Sequence, residues 1–269
     1  VVVEFGNARY QPLLDRFVDG ADVPYEELRQ VWENTTVPRP TWDRPMYHEL
    51  IVAIREVNRA RPNRLRVVHG DPPIDWDTIR DRAEIEAFYP RRSPYAAGVV
   101  RREVLAKNRR ALIVYGAGHL DGRGTPKESM LALLERATRS HIFNISTAFA
   151  NVAAFEPAVA RWPIPSLFVL ARTRFGAQPY PTLYGESVTP DWDGPSIAEQ
   201  FDAELYLGGP SALQFDPLPR ALCEDARYMS MRLSRLELTA SPQNRTPTGA
   251  LTRYCSQECA AAGAMCEVP

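Results

Sequence analysis

The sequence carries no excess of either charge, no long apolar run, and few residues of the two types that most often carry metal or covalent chemistry. Lysine and arginine total 32 against 33 aspartates and glutamates, a formal net charge of -1. That balance offers no basic field to nucleic acid or to an anionic membrane surface. No run reaches the roughly 20 apolar residues of a membrane-spanning helix, so no transmembrane segment is expected. Internal repeats are absent. So are the Gly-x-Ser-x-Gly elbow, the Walker loop, the dinucleotide glycine fingerprint and the His-Glu-x-x-His helix. Their absence argues against the serine-hydrolase and Rossmann readings.

Cysteine and histidine number four each. Cys223 falls in a predicted helix, whereas Cys255, Cys259 and Cys266 cluster in the last fifteen residues. A three-cysteine cluster with no neighbouring histidine is a poor zinc signature. Incidental thiols are the first expectation for it, and a disulfide in an exported protein the second.

What is present is a chain of 269 residues, 45% hydrophobic and 24% charged. That suits one α/β domain with a sizeable core. We expect that domain over 1–238, followed by a Ser/Thr/Pro/Ala-rich disordered tail over 239–269. The chain opens at Val1, inside an apolar run, which leads us to expect an N-terminally incomplete domain. Any signal peptide would have lain upstream.

Three segments share one grammar. Ala111-Leu112-Ile113-Val114-Tyr115 runs into Gly116-Ala117-Gly118-His119. Val1-Val2-Val3 runs into Glu4-Phe5-Gly6, and Leu65-Arg66-Val67-Val68 into His69-Gly70-Asp71-Pro72-Pro73. Each reads as a buried strand ending in glycine and a reactive side chain. Further strands are predicted over 141–147, 166–171 and 201–207. Helices are predicted over 11–18, 23–34, 42–60, 75–89, 95–109, 126–138 and 218–238. The helix over 42–60 has a buried stripe of Tyr47, Leu50, Ile51, Ile54 and Val57. Thr125 and Glu128 suggest a capping box for the helix over 126–138. Alternating strands and helices predict a mainly parallel sheet with helices on both faces.

In open α/β sheets, ligands bind beyond the carboxyl ends of the strands. That places Glu4, Asp71 and His119 in a candidate site. Glu4 ends an apolar strand, where a carboxylate needs a partner; Gly6 lets a ligand approach. Asp71 weighs evenly as a site residue or a turn residue. Asp75 reads as a helix cap. His69 would point into the core by strand alternation. His48 reads as a surface or supporting residue near Arg44 and Arg55. His141 begins its strand and belongs at the opposite edge.

These motifs together resemble the Tiki/TraB/ChaN/erythromycin-esterase-like superfamily, on the side of its erythromycin-esterase-like and ChaN-like branch. "YGAGHL" is similar to its Gly-x-Gly-His-Leu element, and "VVVEFGNARY" to its strand ending in glutamate. The run "WDRPMYHELIVAIREVNRARPNRLRVVHGDPPIDW" resembles its segment of long helix, asparagine, strand and Gly-Asp, and "FDAELYLGGP" resembles a late strand. The resemblance spans roughly residues 1–215. It implies an α/β fold with Glu4 and His119 as site residues, and Asp71 beside them. The family's first motif, a Gly-Glu-x-x-His-like element before Glu4, is missing, which leaves the site one histidine short.

The resemblance implies a hydrolase of the esterase or protease kind, acting on a small molecule or peptide. His119 would serve as general base, with Glu4 orienting it or binding a divalent metal together with it. The alternative is a haem- or metal-binding uptake protein without turnover, with Tyr10, Tyr115 or His119 as axial ligand. One histidine with one or two carboxylates falls short of a catalytic zinc set, so metal binding is expected to be weak. Geometrically, Glu4, Asp71 and His119 are expected at one sheet edge, within about a water-bridged distance of each other.

Overall fold

The computed structural model describes residues 1–61, 64–123, 128–189, 191–212, 217–239, 251 and 254–255. In chain order its strands are β1 (Val2–Asn7), β2 (Val68–Asp71), β3 (Ile113–Val114), β4 (Ile145–Ser146), β5 (Ser166–Val169) and β6 (Ala203–Tyr206). The helices are α1 (Gln11–Val18), α2 (Tyr25–Leu28), α3 (Gln30–Glu33), α4 (Pro45–Ala60), α5 (Arg82–Glu86), α6 (Tyr89–Glu103), α7 (Met130–Thr138), α8 (Val152–Phe155), α9 (Ile197–Gln200), α10 (Arg220–Glu224) and α11 (Ala226–Thr239). Packing divides the span expected to be one domain into two compact units, 1–115 with 215–269, and 116–214.

The α/β class holds, but the single mainly parallel sheet is replaced by two of three strands each. In the first unit the order is β2-β1-β3, all parallel. Every residue of β1 is buried, as expected of a parallel strand covered on both faces. Val3 and Phe5 pack into a core with Leu14, Phe17, Trp32, Ile51 and Ile54. The other cover is α6, which packs on β2. β1 is the central strand, paired on both sides.

The expected stripe of α4 is borne out at Ile51 and Ile54, with Tyr47 and Leu50 partly buried against the core, but Val57 is 36% exposed. The expected helix over 75–89 is broken because two aspartates each start a turn. Asp75 accepts the Asp77 N–H, and Asp81 accepts the Glu84 N–H. Such local bonds compete with continuous helix. The next helix begins earlier than expected, at Tyr89, with Pro90 in its first turn, where a missing N–H costs nothing. The last helix divides at Asp225, whose carboxylate accepts the N–H groups of Arg227 and Tyr228.

Buried charge anchors α11. Arg232, 1% exposed, meets Asp43 at 2.6 Å, and Tyr228 also donates to Asp43. Arg235 donates to Asn34 Oδ1 at 2.6 Å. Cys223 and Cys255 form a disulfide, so the expectation of incidental thiols in the tail is corrected for Cys255. Leu251 and Tyr254 are buried. The rest of the expected tail, with Cys259 and Cys266, lies outside the described residues, as does Thr125 of the expected capping box.

In the second unit the order is β4-β6-β5, with β4 parallel and β5 antiparallel to β6. Phe175, Phe201, Ile197, Val152 and Tyr206 form its core. The first turn of α7 is capped by Ser129, which accepts the Ala132 N–H. The expected strands over 111–115 and 141–147 shrink to two residues each. Their flanks are apolar but unburied, Leu112 at 61% and Phe143 at 59% exposure, so β-propensity alone does not extend the ladder.

Candidate functional site

β1 and β2 run parallel and adjacent, with Asn7 in register with Asp71; Asp71 ends β2, but Glu4 does not end its strand as expected, because β1 continues to Asn7 and leaves Glu4 in its middle. Arg92, in the first turn of α6, joins them. Its Nη2 donates to Glu4 Oε1 at 2.7 Å and its Nε to Asp71 Oδ1 at 2.6 Å. The second Asp71 oxygen accepts the Thr36 hydroxyl and, at 3.4 Å, the Thr36 N–H. The side chains are 13% exposed for Arg92, 8% for Glu4 and 1% for Asp71. The order matters: the guanidinium is outermost, Glu4 next, and Asp71 sealed behind them.

The loops around this cluster are held by Asn7 at the end of β1. Its Nδ2 donates to the carbonyls of Asn34 at 2.8 Å and Ile74 at 2.7 Å. Its Oδ1 accepts from Arg9 and Ile74. Trp76 adds a bond to the Thr35 carbonyl at 3.0 Å. One amide thus ties the segment bearing Thr36 to the segment leaving Asp71.

Burial pushes the Asp71 carboxyl up, with the Arg92 cation opposing. Burial also works against the Arg92 cation, but the two carboxylates outweigh it and its pKa rises. The two carboxylates share the Arg92 cation. Tyr115 lies close by. A Cβ on Gly70 would fall 1.6 Å from its hydroxyl oxygen, so the bare glycine makes room for the phenol. Burial, followed by Asp71 and Glu4, raises the Tyr115 pKa well above its ordinary value. It remains a neutral phenol at any ordinary pH. Burial likewise pushes Tyr47 up to about 12, with Glu4 contributing.

His69 points into the core, as strand alternation predicts. It is 1% exposed. Its ring fills the space over Gly6, where a Cβ would fall 1.9 Å from Nδ1. Neither ring nitrogen has a hydrogen-bond partner among the described residues. Burial lowers its pKa to about 3, with Arg66 adding to the effect and Asp15 opposing it. His69 is therefore a neutral filler of the β1 irregularity between Val3 and Asn7, and no base for chemistry near neutral pH.

Of the three expected site residues, Glu4 and Asp71 come together in the first unit. His119 belongs to the second, in a 3-10 turn over Ala117–His119, with its N–H bonded to the Gly116 carbonyl at 2.9 Å. His141 is exposed and bonded through Nε2 to Asp202 at 2.7 Å, a surface role. His48 contacts the rings of Tyr25 and Trp32. Among the described residues no group of three or more His, Cys, Asp or Glu is arranged to hold a metal ion. Between Glu4 and Asp71, the positive charge is the guanidinium of Arg92.

Arg92 and Thr36 are absent from the sequence reading. Arg92 falls in a proline-flanked stretch, Tyr89-Pro90-Arg91-Arg92-Ser93-Pro94, which reads as a loop between helices. The signal that could have found it is physical: two carboxylates on buried strands require a cation. No family model matches the chain, and no curated protein or solved structure matches it.

Proposed function

We propose that the first unit carries a hydrolytic site built on Glu4 and Arg92. The observation that supports this is the Glu4–Arg92–Asp71 bridge across two adjacent parallel strands, with Asp71 at the carboxyl end of β2, the kind of edge at which α/β sheets bind ligands. Glu4 is the general base that takes a proton from water. Arg92, the most exposed of the three, stabilises the negative charge that develops on the attacked carbonyl oxygen. Asp71 and Thr36 hold the guanidinium in its plane. Tyr115 stays protonated and supplies a neutral hydroxyl beside the two carboxylates. The substrate class is an ester or a peptide. His119 has no part in this reading.

The test is a panel of ester and peptide substrates, run beside a haem titration. Glu4→Gln should lower kcat by roughly 10²–10⁴-fold, the usual worth of a general base, while the variant stays folded. Arg92→Lys keeps the charge but loses the two-pronged bridge and should lose activity as well. A Soret shift without any hydrolysis would instead favour the binding-protein alternative and sink the enzyme reading.

A further inference from the structure

The near-zero net charge hides a segregation: the amino edge of the first sheet is strongly basic. Segments 55–66 and 101–112 together carry ten arginines and lysines against two glutamates. The fold brings both segments to that edge. The first holds the end of α4 and the approach to β2, and the second holds the end of α6 and the approach to β3. The start of β1 lies between the two approaches. The Val68 N–H donates to the Val1 carbonyl and the Val2 N–H to the Leu112 carbonyl, both at 2.8 Å. Arg66 reaches Glu103 at 3.0 Å, which joins the approach to β2 with the end of α6. Asn58 Nδ2 donates to the Leu65 carbonyl at 2.9 Å, which joins the end of α4. Asp15 and Asp19, in and just past α1, add two more carboxylates, paired with Arg66 and Arg64.

Those carboxylates do not balance the cations. Arg61, Arg101, Arg109 and Arg110 are exposed and pair with no carboxylate among the described residues. A cation in the last turn of a helix complements its dipole, which accounts for Arg59 and Arg101. It does not account for Arg61, Arg109 or Arg110, which lie beyond the helix ends. Leucines stand among these cations, with Leu65 at 44%, Leu105 at 43% and Leu112 at 61% exposure. We propose that this edge docks the protein on the surface of an anionic lipid bilayer. The arginines meet lipid phosphates, and the leucines enter the boundary between headgroups and acyl chains. The leucines decide between two kinds of polyanion. Proteins that hold single-stranded nucleic acid stack aromatic side chains on its bases, and neither segment contains an aromatic residue. An exposed leucine gains little beside a sugar-phosphate backbone but leaves water when it enters lipid. Arginine suits the same boundary, because its stem lies along apolar surface while its guanidinium stays at the phosphate level. Asp71 is at the other end of β2, so the docking edge is independent of the hydrolytic site.

Co-sedimentation of the full chain with vesicles tests this. Vesicles of phosphatidylcholine alone are set beside vesicles of equal parts phosphatidylcholine and phosphatidylserine. We expect binding to the mixed vesicles only, weakening as salt screens the charges. Arg109→Glu with Arg110→Glu should weaken it roughly a hundredfold. Leu105→Ser with Leu112→Ser should weaken it roughly tenfold. All four positions are exposed, so circular dichroism of both variants should match the parent. Should the glutamate variant unfold, Arg109→Gln with Arg110→Gln removes the same two cations and gives the same readout. No binding to the mixed vesicles at low salt, or equal binding to both kinds, overturns the proposal. So does a charge-reversed protein that binds as the parent does. A leucine variant with full binding also overturns it, in favour of a plain polyanion, which titration with a duplex DNA then identifies.

Discussion

In the first unit Asp71 lies against a guanidinium and a hydroxyl, whereas in the second Glu204 lies against neutral donors. Glu204 accepts the Ser146 hydroxyl at 2.5 Å and the Ala148 N–H at 2.6 Å. Both carboxyls are 1% exposed and both are pushed up by burial, Glu204 to about 7. The difference is what removal would do. Taking away Arg92 removes the cation that Asp71 and Glu4 both bond. Glu204 can instead accept a proton and sit comfortably as a neutral acid. One unit holds its buried charge with an ion bridge, and the other by letting it titrate.

The comparison breaks most visibly at Arg92. Arg92→Met should cost on the order of 5 kcal/mol, the upper end for uncovering a buried ion, because two carboxylates lose their cation. Urea unfolding of parent and variant reads it. A loss below about 1 kcal/mol would mean that the bridge is no more than a surface pair.

His69 is next. Its folded pKa of about 3 lies below the ordinary 6.5. Between those values the unfolded chain binds a proton that the folded chain does not, so stability is complete above pH 6.5 and falls as pH drops towards 3. The loss should reach about 5 kcal/mol at the acid end. His69→Leu should flatten that acid arm, and equal acid slopes in parent and variant would remove His69 from the account.

Glu204 works in the opposite direction. Its folded pKa of about 7 lies above the ordinary 4.5. The folded chain keeps a proton that the unfolded chain has released, so stability falls as pH rises from 4.5 to 7 and is level above. Glu204→Gln, neutral throughout, should be more stable than the parent by about 3 kcal/mol at pH 8. Both should converge near pH 4.5. Melting curves across that range suffice. The smallest effect is expected at Gly6→Ala, where the new Cβ would meet the buried imidazole of His69. A shift of that ring should cost about 2 kcal/mol, and a combined Gly6→Ala, His69→Ala variant should recover part of it.

Much of the first unit was legible in the sequence. The run Val1-Val2-Val3 and the turn Gly70-Asp71-Pro72-Pro73 announce two buried strands, which pair in parallel; Asp71 ends the second, but the first runs past Glu4 to Asn7. Arg92 was not legible, because Pro90 and Pro94 read as loop punctuation; Pro90 sits in the first helical turn, where proline is compatible with helix, and Pro94 is tolerated inside the helix. The division into two sheets was hidden for another reason. β3 and β4 are each two residues long, and apolar composition around Leu112 and Phe143 does not distinguish a core strand from an exposed one. Glu204 was within reach. On a strand it shares a face with Tyr206 by alternation, and a carboxylate beside a core aromatic is a buried acid.

The central claim is that the Glu4–Arg92–Asp71 bridge does chemistry as well as holding the first unit together. The kcat of parent and Glu4→Gln on one ester substrate, measured beside their urea unfolding curves, separates the two roles. The account predicts that activity falls by about two to four powers of ten while most of the stability survives, since the amide keeps the shape and one hydrogen bond to Arg92. A folded Glu4→Gln protein as active as the parent would contradict it.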